Sequence, residues 1–324
     1  MTISRRSVLR SVPAAAVAMA ASRPLAALAD PKVASKNIKW AVSTNIWTHS
    51  KGPFTDVLDV MQATGFKGVR LTGFPKILEN YGLTEAQLQS ELTKRDLHVV
   101  TISFNGPMYD PQRRQETLDS ARRAMTFLKD FGSTHLVVFS PSRKPETGTP
   151  AAFKEFCDQC NAVGELAGEM GFTAGLHNHM GQMVQNQEEV DRFMAMTDPK
   201  LFGLSPDTAH LYLGGCDVVG TFERYKHRIR FMDYKDAKWT TPTADWVEPN
   251  GVIVPKDSQT ARFLNSIYDL GDGEINFPGC HRVLKSIDYQ GWICVDLDSA
   301  RLGPLADYQR CADYIVGKLQ PIYL

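Results

Sequence analysis

The sequence has no excess of charge of either sign. Its 324 residues include 36 lysines and arginines and 36 aspartates and glutamates, so the formal net charge is +0. A composition of this kind lacks the broad basic field that nucleic-acid binding needs. Beyond the N-terminal region, the sequence also has no uninterrupted apolar run of the roughly 18–20 residues that a membrane span requires. We therefore expect neither a nucleic-acid partner nor a membrane span.

Cysteine is also too scarce for a disulfide framework, which is typical of small secreted domains rather than of a chain of this size. Among six cysteines, only Cys157 and Cys160 form a C-x-x-C pair, and they lie within a helical pattern. Zinc and redox sites use such pairs, usually together with further ligands. Because no second pair is present, we interpret these residues as buried thiols, with a zinc or redox role as the alternative.

A targeting segment is predicted at residues 1–29. Arg5 and Arg6 precede a short, weakly apolar stretch, and residues 27–29 read Ala-Leu-Ala, a typical cleavage sequence. The paired arginines resemble a twin-arginine signal, which exports proteins that are already folded. An ordinary secretory signal and a basic, alanine-rich tail are the alternatives. We expect a periplasmic or secreted protein in which residues 30–324 form a single catalytic domain.

Short β-rich runs alternate with longer helical patterns along the rest of the chain. Eight strands separated by helices favour parallel βαβ units closed into an α/β (β/α)₈ TIM barrel, which needs about 250 residues. No G-x-G-x-x-G motif follows the first strand, so a dinucleotide-binding sheet is the weaker alternative. The predicted strands are residues 38–46, 68–71, 99–104, 135–139, 173–176, 202–204, 229–234 and 291–297. The clearest predicted helices are residues 54–63, 84–94, 112–131, 151–170, 187–196 and 280–287.

The connection after the seventh strand, residues 238–278, is long and irregular. It contains Trp239, Trp246 and several prolines, and it ends near Gly271-Asp272-Gly273. A loop of this length is usually either functional or disordered. Since TIM-barrel active sites lie at the C-terminal ends of the strands, we expect this insertion to lie over or beside the site as a substrate-shaping lid. A solvated surface loop is the alternative.

The predicted ends of strands five to eight are rich in side chains that bind metals. Because side chains alternate along a strand, residues two apart project to the same side. A single buried histidine or aspartate is usually a satisfied core group, but four consecutive strand ends of this kind are hard to obtain from structure alone. We therefore predict a metal site there. The residues are His177, His179, Asp207, His210, Asp233, Lys235, Asp296 and Asp298.

At these residues the chain resembles the xylose-isomerase-like TIM barrels, also called sugar phosphate isomerases/epimerases, and especially their inosose dehydratase branch. The resemblance covers essentially the whole mature chain and depends on the order and spacing of short motifs. They include His177-Asn178-His179-Met180-Gly181, Asp207-Thr208-Ala209-His210-Leu211, Tyr234-Lys235-Asp236 and Gly271-Asp272-Gly273. The resemblance implies one divalent cation held by His177, Asp207, Asp233 and Asp296.

Two of these implied ligands depart from the commonest family pattern. His177 stands where glutamate is common, and Asp233 stands where histidine is common. The two departures compensate each other, because the ligand set keeps the same total charge. A mixed imidazole and carboxylate shell suits Mn²⁺, Co²⁺, Fe²⁺ or Zn²⁺ better than Mg²⁺. Whether His177 or His179 binds the metal stays open.

Such a site can remove a proton next to a carbonyl, because a metal polarises the carbonyl while a positioned base takes the proton. His179 and His210 are the candidate base and acid, and Asp298 is a further candidate base. Lys235 is a candidate for stabilising an oxyanion, with an ion pair to Asp236 as the alternative.

Four further residues are candidates for binding substrate. Asn45 and Trp47 follow the first strand and offer a hydrogen-bond donor and an apolar wall for a sugar ring, although Trp47 would equally suit packing. Arg70 is a candidate for binding a carboxylate or hydroxyl group, with an ion pair to Glu79 as the alternative. Asn105 follows the third strand and is a candidate donor to hydroxyl groups.

We predict a metal-dependent enzyme acting on an unphosphorylated keto-sugar, keto-cyclitol or glycoside. A lyase that catalyses dehydration or 3-keto-glycoside β-elimination is favoured by the resemblance and by export. An epimerase or isomerase acting on a ketose is one alternative, and a non-catalytic periplasmic carbohydrate-binding barrel is another. A metal-dependent endonuclease is disfavoured by the neutral charge. A homo-oligomer is compatible with the sequence, which does not decide the oligomeric state.

Overall fold

The computed structural model describes residue 33 and residues 37–48, 52–248 and 250–323. The predicted twin-arginine segment, residues 1–29, lies outside the described residues. Within the described part of the chain, no helix is both long enough and apolar enough to cross a membrane.

Eight parallel strands form a nearly closed barrel. They are β1 (Ile38–Ser43), β2 (Gly68–Leu71), β3 (His98–Phe104), β4 (His135–Phe139), β5 (Thr173–His177), β6 (Gly203–Leu204), β7 (Met232–Tyr234) and β8 (Gly291–Val295). Hydrogen-bonded neighbours follow the order β6-β5-β4-β3-β2-β1-β8-β7. The two ends of this order, β6 and β7, meet through isolated parallel bridges from Leu204 to Ile229 and from Asp207 to Asp233. The predicted (β/α)₈ TIM barrel is confirmed.

Helices alternate with the strands. They are α1 (Thr55–Thr64), α2 (Ile77–Asn80), α3 (Glu85–Arg95), α4 (Arg114–Asp130), α5 (Pro150–Glu169), α6 (Gln187–Met196), α7 (Thr208–Leu213), α8 (Val218–Tyr225), α9 (Gln259–Ser266), α10 (Phe277–Ser286), α11 (Pro304–Tyr314) and α12 (Gln320–Tyr323). Local capping residues define the first residues of several helices. At the beginning of α6, for example, the Asn186 side chain accepts the Glu189 N–H.

In α5, Cys157 and Cys160 are free and buried, and burial raises the pKa of Cys157 to about 12. These properties fit the interpretation as buried thiols.

His135 lies at the start of β4, at the N-terminal end of the barrel. Its Nδ1 atom lies 2.8 Å from Thr173 Oγ1, and its Nε2 atom lies 2.9 Å from Ser205 Oγ. The ring stacks on Phe231 with a centroid distance of 5.5 Å. Burial lowers the pKa of His135 to about 3. This end of the barrel therefore contains a histidine that is neutral at neutral pH and hydrogen-bonded on both ring nitrogens.

The insertion at residues 238–278 is held at its two ends by Asp236. Asp236–Ala237 pairs antiparallel with Ile267–Tyr268. The Asp236 carboxylate also accepts backbone N–H groups from Gly271 at 2.8 Å and Gly273 at 3.0 Å. A Cβ atom on Gly273 would lie 2.2 Å from Asp236 Oδ1, so this turn requires glycine. Between the two ends lie α9 and an antiparallel hairpin formed by Trp246–Val247 and Ile253–Val254.

Candidate active site

The predicted histidines, aspartates and lysine converge at the C-terminal ends of β5 to β8. His177 ends β5, Asp207 is the N-cap of α7, and Asp233 lies within β7. Most of these side chains have almost no contact with solvent, although His179 and Asp298 are partly exposed. Those exposed by 1 % or less are His177, Asp207, His210, Asp233, Lys235 and Asp296. Buried charges require partners, so the contacts between these groups define the site.

Lys235 is surrounded by three carboxylates. Its Nζ atom lies 2.6 Å from Asp296 Oδ2, 2.7 Å from Asp298 Oδ2 and 3.2 Å from Asp207 Oδ2. Burial by itself lowers the pKa of Lys235, but Asp207, Asp296 and Asp298 outweigh it and raise that pKa well above the usual value. The side chain is therefore an ammonium. The alternative of an ion pair with Asp236 is wrong, because adjacent residues of an extended chain project to opposite sides.

Arg70 supplies a second buried cation. Its Nε atom lies 3.2 Å from Asp233 Oδ1 and its Nη2 atom lies 2.8 Å from Asp296 Oδ2, while Nη1 donates to Ser103 Oγ at 2.9 Å. These partners replace the alternative ion pair with Glu79. Since the guanidinium nitrogens contact protein atoms, a direct role for Arg70 in binding substrate stays a prediction.

His177 is oriented by Asp233. Its Nδ1 atom lies 3.0 Å from Asp233 Oδ2, and because a carboxylate accepts, we assign the ring hydrogen to Nδ1. The Nε2 atom then carries a lone pair and lies 3.9 Å from Asp207 Oδ2. Burial lowers the pKa of His177 although Asp233 raises it, so the ring is neutral. A carboxylate behind one nitrogen and a free lone pair on the other is the usual arrangement of histidines that bind metals.

His179 and His210 lie side by side, with ring centroids 3.7 Å apart. The Nδ1 atom of His179 donates to the Met180 carbonyl at 2.6 Å, and burial lowers the pKa of His179 to about 4 with help from His177 and Lys235. The Met180 N–H lies 3.3 Å from His210 Nδ1, and Lys235 Nζ lies 3.4 Å from His210 Nε2. Because a neutral imidazole has one lone pair, we assign it to Nδ1 from the shorter contact and the ring hydrogen to Nε2. Burial, His179 and Lys235 hold the pKa of His210 well below its usual value. Both imidazoles are therefore neutral at neutral pH.

The donor groups fit a divalent ion between His177, Asp207 and His210. One ligand atom from each residue lies within 4.8 Å of the other two. The buried Asp207 Oδ2 atom contacts the Lys235 ammonium but has no hydrogen-bond partner. Burial raises the pKa of Asp207 to about 8 in spite of Lys235, and Asp296 and Asp233 add to the increase. The ionised form of this carboxylate is thus incompletely stabilised by the protein, and a further cation would stabilise it.

The four-ligand set predicted from the family resemblance divides into two pairs. His177 and Asp207 face the space that a metal would fill. Asp233 and Asp296 instead neutralise Arg70, and Asp296 also contacts Lys235. A ring nitrogen of His210 also lies within 4.8 Å of the ligand atoms of His177 and Asp207. Metal binding through Nε2 would require the ring hydrogen to move to Nδ1, which could then no longer accept the Met180 N–H. The complete ligand set stays a prediction.

Several residues that support the site were missed by sequence reasoning. Ser43 Oγ donates to Asp296 Oδ1, and the Asn178 side chain accepts the Asp207 N–H at 3.0 Å. Phe263 of α9 stacks on His210 with a centroid distance of 5.2 Å. Only Asn178 belonged to a recognisable motif. The others come from distant parts of the chain and have no signal in the sequence pattern.

Besides Arg70, the structure brings Asn45 and Trp47 to the site and leaves Asn105 apart. Asn45 Nδ2 donates to Asp298 Oδ1 at 2.7 Å. Trp47 is buried and stacks on Tyr308 with a centroid distance of 5.7 Å, so it packs as well as lining a cavity of about 470 Å³ beside Asp298. Asn105 is exposed and lines a separate cavity of about 300 Å³.

A larger cavity, of about 640 Å³, lies at the opposite end of the barrel. It is lined by residues at the starts of strands, including Lys39, His98 and Trp292. Because this N-terminal face of TIM barrels supports stability rather than catalysis, the candidate active site remains at the C-terminal ends.

Comparisons with known proteins agree with the barrel fold. The family described as xylose isomerase-like TIM barrel matches residues 58–315. An inosose dehydratase of Clostridium tetani is 26% identical over 306 residues, which cover 87% of this chain and 97% of that protein. The solved structure of the probable 3-DHS dehydratase AsbF of Bacillus anthracis superimposes with a TM-score of 0.67 at 16% identity, covering 86% of this chain and 98% of its own.

A third similar protein contains a metal. The IOLI protein, solved with a bound zinc atom, superimposes with a TM-score of 0.67 at 14% identity, covering 87% of this chain and 98% of its own. At such identities the solved structures establish the fold alone. Because the family match spans most of the described chain, the protein belongs to the xylose isomerase-like TIM barrel family.

Proposed function

We propose that this protein is a divalent-metal-dependent lyase that removes a proton next to the carbonyl of an unphosphorylated keto-sugar or keto-cyclitol. The observation that carries the proposal is the position of a buried ammonium, Lys235 Nζ, 3.4 Å from Nε2 of the neutral His210 ring, which itself packs against the neutral His179 ring. When one of two neighbouring groups is protonated and the other is not at the same pH, the first can act as an acid and the second as a base. The relatives named as inosose dehydratases favour elimination over rearrangement.

His179 is the proposed base. Its Nδ1 hydrogen is engaged by the Met180 carbonyl at 2.6 Å, so the lone pair lies on Nε2. Burial keeps the ring neutral, and its pKa of about 4 means that it stays ready to accept a proton throughout the neutral range. Proton transfer by a positioned group of this kind contributes typically 10²–10⁴-fold to a rate.

Lys235 and His210 are the proposed donors to the substrate carbonyl oxygen. The Lys235 ammonium cannot lose its proton readily while three carboxylates surround it. With its Nδ1 accepting the Met180 N–H, His210 carries its hydrogen on Nε2, 3.4 Å from Lys235 Nζ, so the two donors lie side by side. Fixed donors in a site that excludes water stabilise the negative charge that develops on oxygen when the neighbouring proton leaves. A divalent ion bound at His177 and Asp207 would polarise the same carbonyl as a Lewis acid.

Asp298 positions the ammonium and orients Asn45. It accepts Asn45 Nδ2 at 2.7 Å through Oδ1 and contacts Lys235 Nζ at 2.7 Å through Oδ2. In an elimination, the proton taken by His179 returns to the oxygen that leaves from the next carbon. The carbon–oxygen bond breaks as the carbon–carbon double bond forms, so atoms and charge balance without an oxidant.

Incubation with 2-keto-myo-inositol and with 3-keto-glucosides in D₂O tests the proposal. Formation of an ultraviolet-absorbing enone with loss of water or alcohol is expected, and His179→Gln and Lys235→Met should each lower the rate by at least about 100-fold. His98→Gln, an exposed histidine at the opposite end of the barrel, is the matched control. Deuterium uptake without elimination would establish an epimerase or isomerase instead. No exchange with any keto-sugar would favour a carbohydrate-binding barrel.

We also propose that the protein acts outside the cytoplasm. Arg5 and Arg6 support this proposal, although they lie outside the described residues. Replacement of both by lysine should leave the full-length precursor in the cytoplasm, as measured by cell fractionation. Undiminished export of that variant would contradict the twin-arginine route.

A further inference from the structure

A mostly apolar cavity adjoins the proposed acid–base groups. Its volume is about 470 Å³, and it lies between the connections that follow β1 and β8 and the hairpin of the insertion. Asn45 and Asp298 form part of its wall. Because Asp298 Oδ2 lies 2.7 Å from Lys235 Nζ, a molecule in this cavity would lie next to the reacting part of a substrate bound at Lys235.

The remaining wall is poorly matched to a free sugar. Trp47, Trp246 and Leu305 supply much of it. An unsubstituted cyclitol or monosaccharide carries hydroxyl groups on nearly every carbon, and burying them against such a wall would leave hydrogen bonds unmade. A cavity of this size with mostly apolar walls and a few polar groups is the usual form of a site for a small apolar group.

Two details of the cavity wall point to a ligand. Trp246 Nε1 is buried without a hydrogen-bond partner, and an unsatisfied buried N–H costs about 1–3 kcal/mol unless a bound group accepts it. Val247 and Leu305 also line the cavity, yet 61% and 39% of their surfaces remain exposed. An apolar ligand would cover these side chains, and an ether or glycosidic oxygen beside it would accept the Trp246 hydrogen.

We infer that this cavity is an aglycone subsite, which takes an alkyl or aromatic group joined through oxygen to the keto-sugar ring. The inference rests on the proposed function and selects glycosides over free cyclitols as its substrates. In the reaction, the base removes the hydrogen from the carbon between the carbonyl and the anomeric carbon. A carbon–carbon double bond forms, the anomeric carbon–oxygen bond breaks, and the leaving oxygen takes the proton, giving an unsaturated keto-sugar and a free alcohol.

Two 3-keto-β-glucosides with leaving alcohols of similar basicity, the methyl and the 2-phenylethyl glycosides, separate binding from leaving-group reactivity. The wild-type enzyme should show a kcat/KM for the 2-phenylethyl glycoside at least tenfold above that for the methyl glycoside. Trp246→Ala should remove most of this preference through KM, because the 2-phenylethyl glycoside loses the apolar contact and the hydrogen bond whereas the methyl glycoside loses mainly the hydrogen bond. Trp246→Phe, which keeps a ring and removes the N–H, should show a preference between that of the wild type and that of Trp246→Ala. Circular dichroism spectra establish that each variant is folded.

Trp239→Ala is the matched control. Trp239 lies on the same insertion, is 43% exposed and stacks on Arg262 rather than lining the cavity. Its replacement should leave both kcat/KM values at wild-type levels. Equal kcat/KM for the two glycosides in the wild type would overturn the aglycone subsite while leaving the lyase intact, and so would an equal loss for both in Trp246→Ala.

Calorimetry with unoxidised 2-phenylethyl β-glucoside tests the cavity independently of turnover. Binding that weakens at least tenfold in Trp246→Ala supports the subsite. Binding of this kind without turnover of any keto-glycoside would contradict the proposed function and retain the subsite. Absence of binding, or binding that is indifferent to Trp246, would overturn the subsite.

Discussion

Lys235 donates to Asp296 across an Nζ–Oδ2 distance of 2.6 Å, and the same carboxylate oxygen lies 2.8 Å from Arg70 Nη2. Together with Asp207, Asp233 and Asp298, Asp296 makes four carboxylates for the two cations. When all four are ionised, two negative charges remain. One divalent ion would neutralise this charge. The presence of Arg70 and Lys235 is therefore compatible with a metal in the same centre.

Removal of Asp296 should destabilise the fold through its two cations. Asp296→Asn removes the charged oxygen that both Arg70 and Lys235 contact, and breaking a buried ion pair in this way costs about 3–5 kcal/mol of unfolding free energy. Lys235→Met should also destabilise, and the double variant should lose less than the sum of the two. Urea denaturation measures each value. The exposed pair Lys67–Asp96 is the control, since Lys67→Met should cost less than about 1 kcal/mol. Additive losses for Asp296 and Lys235 would contradict the coupling.

Metal content should depend most strongly on Asp207. We expect about one divalent ion per chain in protein folded in the cytosol and none in Asp207→Asn, measured by elemental analysis after dialysis. Asp233→Asn should weaken binding about 10–100-fold, because Asp233 orients His177 through Nδ1. Asp298→Asn serves as the control and should retain the ion. Retention of metal by Asp207→Asn would show that the ligand assignment is wrong.

Acid should destabilise the barrel through His135. Its pKa is about 3 in the folded protein and near 6.5 when unfolded, so between these values the unfolded chain binds more protons. Its contribution is complete above pH 6.5 and is lost as the pH falls towards 3, by up to about 1.4 kcal/mol per pH unit. His135→Gln should therefore reduce the pH dependence of unfolding free energy between pH 6.5 and 5. The exposed His227→Gln should retain the wild-type dependence, and identical slopes in His135→Gln and wild type would count against this account.

Two glycine substitutions should have opposite effects. In Gly273→Ala the new methyl group would lie 2.2 Å from Asp236 Oδ1 and 2.7 Å from the Ala237 nitrogen, so the end of the insertion must move. We expect a loss of at least about 1–3 kcal/mol and reduced activity. Gly168→Ala, exposed in α5 with no atom within 4 Å of the added carbon, should instead stabilise by roughly 0.5–1 kcal/mol. Thermal unfolding of both variants provides the comparison, and a wild-type midpoint for Gly273→Ala would refute the steric argument.

The barrel was predictable because short β-rich runs alternating with longer helical patterns are local signals. The predicted helix at residues 112–131 is found as α4, Arg114–Asp130. The shorter strands were less well defined: residues 229–234 were predicted, but β7 is Met232–Tyr234. Ile229 forms only an isolated bridge there, and an apolar pattern does not distinguish such a bridge from a continuous ladder.

In the site, the sequence identified the ends of strands but not the partners across the barrel. His177 and Asp207 belong to motifs that could be recognised along the chain. For Arg70, the ion pair considered was with Glu79, which is close in sequence. Its partners in the structure are Asp233 and Asp296, which lie far along the chain. Closure of the barrel sets these pairings, and no local periodicity encodes them.

The attachment of the insertion at Asp236 has a consequence for how such enzymes diversify. Both ends of the insertion meet at the Asp236 carboxylate and at one short antiparallel pairing. The intervening hairpin can therefore change in length or sequence without displacing the barrel strands. Loops on a rigid scaffold tolerate such change better than strands do. If the aglycone subsite is present, transplanting the hairpin between barrels with the same anchoring aspartate should transfer the proposed preference for one class of leaving alcohol and leave the proposed proton-transfer groups unchanged.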